Sequence, residues 1–146
     1  MKKVVILILF SLFLTGCSST RKPLVCENLQ ETGSYDLYHS VRVSENNEGI
    51  ESFTIIDKYV IRENFVHQID DIANSLEGNY TMYSNVKGII VDKEKKNNIY
   101  TVTVHMDINN LDPSYKELIL GTYKNAEDVK KDLENDFDKY KCSYKY

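Results

Sequence analysis

The chain has 146 residues, with 18 lysines and arginines against 22 aspartates and glutamates, three cysteines, eleven tyrosines and no tryptophan. That length suits one domain built around one core. The formal charge of −4 excludes a broad nucleic-acid footprint, which needs clustered basic charge against the phosphates, and argues against electrostatic adhesion to anionic lipid.

Lys2 and Lys3 precede an apolar run from Val4 to Leu14 that is broken only by Ser11. A positive start, a short apolar core and a small-residue exit are the parts of an export signal. The core is too short to span a bilayer, which takes roughly 20 apolar residues. Its exit, Leu14-Thr15-Gly16-Cys17, resembles a bacterial lipobox. The resemblance implies a diacylglyceryl group on the Cys17 sulfur and cleavage between Gly16 and Cys17. Residues 1–16 are then the removed signal, 17–23 the lipidated N-terminus and tether, and 24–146 a single domain. Two acyl chains hold a protein stably where one does not, so the expected place is the extracytoplasmic face of the cell membrane, anchored by lipid. The plainer alternative is an ordinary export signal that happens to end on a cysteine.

Cleavage removes two basic residues and leaves 130 residues, 16 basic and 22 acidic. The steps from Cys17 to Cys26 reach at most ~30 Å, which keeps the domain close to the membrane with Arg21 and Lys22 near the headgroups. With Cys17 acylated, Cys26 and Cys142 remain, both outside the cytosol, where disulfides persist. Joined, they would close a loop of more than 100 residues, a constraint worth about 4–5 kcal/mol on the chain-entropy model. Two free thiols are the alternative, and metal ligation by two cysteines so far apart is the weakest reading.

Alternation defines the first strand pair. Tyr35, Leu37, His39, Val41 and Val43 share one face, and Asp36, Ser40, Arg42 and Ser44 the other. The turn residues 45–49, ENNEG, lead into a β-branched and aromatic partner over 50–61. The period then changes. Phe65, Ile69, Ile72, Ala73 and Leu76 fall at helical spacing, with Gly78 placed to end the helix.

A second pair follows, over 86–94 and 98–108, joined through Lys96-Asn97-Asn98. In its second member Tyr100, Val102, Val104, Met106 and Ile108 share a face. Pro113 opens a short helical stretch that Gly121 should stop, and Asn125 is placed to cap a helix with Val129, Leu133, Phe137 and Tyr140 on one stripe. The C-terminal KCSYKY reads as a short strand or arm beside Cys26. The expected fold class is α+β: an antiparallel sheet of two hairpins plus terminal strands, with two main helices on one face.

The lipobox, the early Cys26, the two hairpins around an amphipathic helix, the passage NNLDPSYKEL and the late Cys142 together resemble the YehR-like bacterial lipoproteins. The resemblance implies a small surface lipoprotein domain. It carries over the Cys17 attachment and the Cys26–Cys142 pair, and no catalytic residues. The aromatic loop GNYTMYSN, residues 78–85, does not match that pattern.

Candidate chemistry is sparse. Glu63, His67 and Asp71 follow the i, i+4 spacing that aligns side chains on a helix, with Asp70 beside them. The simplest reading of that row is a solvated face, since no recognised metal spacing is present. His105 and Asp107 lie on the polar side of a strand, and His39 on the apolar side of another reads as a hydrogen-bonded core residue. The run EDVKKDLENDFDKYK lacks the turn glycine of a calcium loop, and pairs such as Lys130 with Glu134 suit a helix exterior. Tyr80, Met82 and Tyr83 form a possible binding loop, because tyrosine joins an apolar body to a polar tip.

These readings lead to a non-enzymatic, lipid-anchored domain, with no cofactor and no metal, that binds a protein, peptide or small-molecule partner near the membrane. The alternative is an envelope hydrolase or metal-dependent enzyme using His67, Asp71, His105 and Asp107.

Overall fold

A computed structural model describes residues 21–135 and 140–145; the leader, Cys17, the tether up to Thr20, and Phe137 lie outside the described residues. Six strands form one antiparallel sheet: β1 (Leu24–Glu31), β2 (Tyr35–Asn46), β3 (Gly49–Ile61), β4 (Ile89–Lys96), β5 (Ile99–Asp107) and β6 (Lys141–Tyr144). Their order across the sheet is β4-β5-β3-β2-β1-β6. The first three strands thus form a meander, β4 and β5 pair beyond β3, and β6 returns to close the far side against β1.

Register explains the core. Cys142, Cys26, Val41, Ile55, Val104 and Val91 lie in one row across all six strands, so they share a face. The next row toward the β2–β3 turn holds Leu24, Val43, Phe53, Met106 and Ile89. The helices α1 (Ile69–Glu77) and α3 (Ala126–Asn135) bury Ala73 and Leu76, and Ala126 and Val129, in the same cluster. The other face of the sheet carries no helix residue of that cluster; it holds Thr54, Lys58, Thr101 and His105 together with exposed Leu29, Tyr38 and Ile90. Both edges are poor templates for further pairing. β4 ends in Asp92-Lys93-Glu94-Lys95-Lys96, and β6 is four residues long.

Several boundaries differ from the periodicity. The first helical stretch opens as a 3-10 segment, Glu63–Gln68, and becomes α-helical only at Ile69. Arg62 stands at its N-cap and offers no side-chain cap, so the tighter turn takes the first amides, as in the 2.8 Å bond from Phe65 N to Arg62 O. Gly78 does not terminate the chain's helical course. Its φ is −54°, and a second 3-10 segment runs on through Tyr83. Gly121 likewise lies inside α2 (Pro113–Thr122), which Asp112 caps by accepting from Ser114 N at 3.0 Å. Asn125 caps α3 as expected, accepting from Asp128 N at 3.0 Å. Lys130 pairs back with Glu127, at 3.9 Å, in place of the forward pair with Glu134. Tyr140 is not helical; it enters the core from the approach to β6.

Cys26 and Cys142 face each other across β1 and β6 and are joined by a disulfide, with Cα atoms 4.0 Å apart.

Candidate functional site

The same alternation that builds the core places a carboxylate inside it. Asp57 sits on β3 between Ile55 and Tyr59 on the core face, opposite His39 of β2, and is only 8% exposed. His39 Nδ1 is paired with Asp57 Oδ1. Tyr80, from the 3-10 segment Gly78–Tyr83, donates its hydroxyl to Asp57 Oδ2 at 2.6 Å. Tyr59 and Tyr80 hydroxyls are 2.6 Å apart. Tyr80 spends its one proton on Asp57, so Tyr59 is the donor in that pair. The result is a directed chain, Tyr59 to Tyr80 to Asp57, with His39 on the second oxygen. The buried carboxylate is thereby satisfied from both sides, as burial of a charge requires.

Aromatic rings enclose this chain. Tyr35 meets Tyr59 edge-on at 5.3 Å, Tyr59 stacks on Tyr100 at 6.0 Å, and Tyr140 meets the His39 ring edge-on at 5.6 Å. Tyr100 Oη is buried with no hydrogen-bond partner among the described residues. A hollow of about 550 Å³ near the β1–β6 edge is lined by His39, Asn28, Ser40, Tyr38, Leu29 and Lys141, among others.

Burial makes these phenols reluctant acids. Tyr59 is pushed up to about 12, chiefly by burial and further by the Asp57 charge. Tyr80 is raised further, by burial and by its bond to Asp57. Tyr83 and Tyr100 are raised by burial, with the Asp57 and Glu77 charges adding to each in turn. A group whose folded pKa lies above its unfolded value stabilises the fold fully below the unfolded value, near 10 for tyrosine, and loses that contribution as pH rises through the folded value. In an alkaline titration the exposed tyrosines should therefore ionise first. The buried set should appear in the tyrosinate absorbance only as the fold is lost, between roughly pH 10 and 12. A single unshifted titration of all the tyrosines would contradict the buried chain.

The residues singled out in the sequence fall in separate places. Tyr80 is buried at 5% exposure, Met82 is 66% exposed, and Tyr83 is half-buried against the core. His67 lies in the exposed 3-10 segment beside Gln68, and Glu63 and Asp71 are exposed, while Asp70 pairs with Lys95 of β4. His105 stands on the sheet face away from the core and bonds Thr54 Oγ1 at 3.0 Å. Asp107 shapes the turn after β5, accepting from Asn109 N at 3.0 Å and Asn110 Nδ2 at 2.7 Å, and the Asn110 bond holds its carboxyl below the usual range. His67 and His105 thus belong to opposite sides of the sheet and are not brought together. No group of three or more histidines, cysteines, aspartates or glutamates suited to a metal ion occurs among the described residues. Asp57 is the residue missed in the sequence, though its register with Phe53, Ile55, Tyr59 and Ile61 is a readable signal.

No family model matches the chain, and no curated protein matches it. The chain is similar to a solved structure described as the NMR structure of the E. coli YehR protein, with 18% identity and a TM-score of 0.45, over 76% of this chain and 78% of that one.

Proposed function

We propose that the protein is a lipid-anchored extracytoplasmic domain of the YehR-like kind. It works as a non-enzymatic module that binds a protein, peptide or small molecule beside the membrane. One observation carries the anchor: the motif Leu14-Thr15-Gly16-Cys17 stands four residues ahead of Arg21, whose guanidinium is already paired with Glu45 at 3.0 Å. The reading is supported as well by the state of the buried polar groups. Asp57, Tyr80 and Tyr59 are engaged with one another, an arrangement that suits a rigid scaffold better than an exposed reacting group. The half-apolar sheet face with exposed Leu29, Tyr38 and Ile90, and the hollow beside His39, offer surface for a partner.

The test is expression of the full chain in a lipoprotein-processing bacterium, with a clickable fatty acid and intact-mass analysis. The chain should carry the label and begin at a diacylglyceryl Cys17, and Cys17→Ser should abolish labelling. An unmodified thiol at Cys17, or a mature N-terminus elsewhere, would refute the anchor.

A further inference from the structure

The strand ends show which part of the domain faces an anchor at Cys17. β1 begins at Leu24, in register with Val43 of β2 and Tyr144 of β6, next to the β2–β3 turn at Asn46–Gly49. Arg21 is held there by Glu45, whose second oxygen accepts from Ala126 N at 2.9 Å. Four peptide steps separate Cys17 from Arg21, a covalent reach of at most ~14 Å. The end of the sheet that carries the β2–β3 turn is therefore the end closest to the lipid.

That end is crossed by α2. Its start is fixed beside the first residues of β4, where Asp112 N bonds Lys87 O at 3.1 Å. Farther along, Lys116 and Leu120 line a hollow with Asn46, Gly49 and Ile50 of the β2–β3 turn. The loop after the helix reaches the same turn, since a Cβ at Gly49 would stand 3.8 Å from Lys124 O. At 3.6 residues per turn, Leu118 points to the side of α2 opposite Lys116 and Leu120, with Tyr115 and Thr122 along the same stripe. Leu118 is 68% exposed and Tyr115 38%, and no residue of α2 is fully buried. This end of the sheet carries charge of both signs: Lys87, Lys124, Lys116 on the turn side of α2 and the Glu45-paired Arg21, together with Asp112, Glu117, Glu48 and Glu51.

We infer that the Tyr115–Leu118 stripe of α2 lies on the bilayer surface, which fixes how the domain stands on its anchor. The inference rests on the anchor reading. The occupant is lipid because the chain from Arg21 back to the acylated residue, at most ~14 Å long, keeps this end of the sheet beside the headgroups. An exposed Leu and Tyr on one helix stripe are side chains that such an interface takes up.

The absence of tryptophan supplies the probe. The full-length, acylated Leu118→Trp variant is reconstituted in phosphatidylcholine–phosphatidylglycerol vesicles, with and without bromine on the upper acyl carbons. Asn64→Trp, in the exposed 3-10 segment after β3, is the control at the opposite end. The expected result is a blue-shifted Leu118→Trp emission that falls roughly twofold in brominated vesicles, as for an interfacial side chain, with the Asn64→Trp emission unchanged. A variant that floats with the vesicles yet shows water-exposed, unquenched emission at position 118 overturns the contact and leaves the anchor intact. A blue shift without bromine quenching would mean that protein, a partner or a second copy, covers the stripe, and also overturns it. Failure to float, with an unmodified Cys17, overturns both readings.

Discussion

Breaking the Cys26–Cys142 bond is expected to cost about 4–5 kcal/mol of unfolding free energy, because it releases a loop spanning 116 positions in the unfolded chain. The native side adds a local consequence. β6 has four residues, and among the described residues its strand partner is β1 alone. Once freed, it has little to hold it beyond the ladder bonds, the pairs Lys145–Glu27 and Tyr144–Glu127, and the partial burial of Cys142. The check is denaturant unfolding of the oxidised protein against the Cys26→Ala/Cys142→Ala double variant. The variant should unfold at a clearly lower midpoint, and amides of residues 141–144 should exchange before those of β2 and β3. Equal midpoints would show that the bond adds nothing to the fold.

The second large effect is expected at Gly88, where alanine should destabilise by on the order of 3 kcal/mol. Gly88 has φ +83°, and a Cβ there would stand 2.6 Å from both Cα and N of Leu111 and 2.7 Å from C of Asn110. Those are backbone atoms of the turn that leads into α2, so relief requires moving the turn itself. The turn is tied back by Asp107 N to Gly88 O at 2.9 Å and Asp112 N to Lys87 O at 3.1 Å. Gly33→Ala is the matched control: no atom lies within 4 Å of its added Cβ, and its φ is not positive. Thermal or denaturant melts should separate the two variants by several times the error; equal melts would show that the turn can yield.

Gly88 also marks where sequence reading reaches its limit. Alternation in 86–94 makes no distinction between a strand starting at Val86 and one starting at Ile89, and the positive φ that decides it comes from a turn more than 20 residues later. Alternation did locate β2 and β5, the core side of His39, and the pairing of β4 with β5, because each depends on neighbours along one strand or across one short turn. Asp57 obeys the same alternation, but its role depends on His39 from the neighbouring strand and Tyr80 from a distant 3-10 segment, partners that alternation along one strand does not show.

The three residues of the aromatic loop part for a different reason. In a 3-10 segment residues three apart eclipse, so Tyr80 and Tyr83 turn inward together while Met82 turns out. A loop reading treats the three alike. The position of β6, and of β1 between it and β2, rests on contacts across the whole chain, and the cysteines were its one local trace.

The placement of β1 has a mechanical side. Traction on the chain ahead of Leu24 enters that strand along its own axis, with ladders to β2 on one flank and β6 on the other. Ladder bonds lie across an antiparallel pair, so such a load shears many rungs at once and cannot peel them singly. Two residues in, the covalent link at Cys26 passes part of the strain to β6. The molecule is toughest where a tug would arrive.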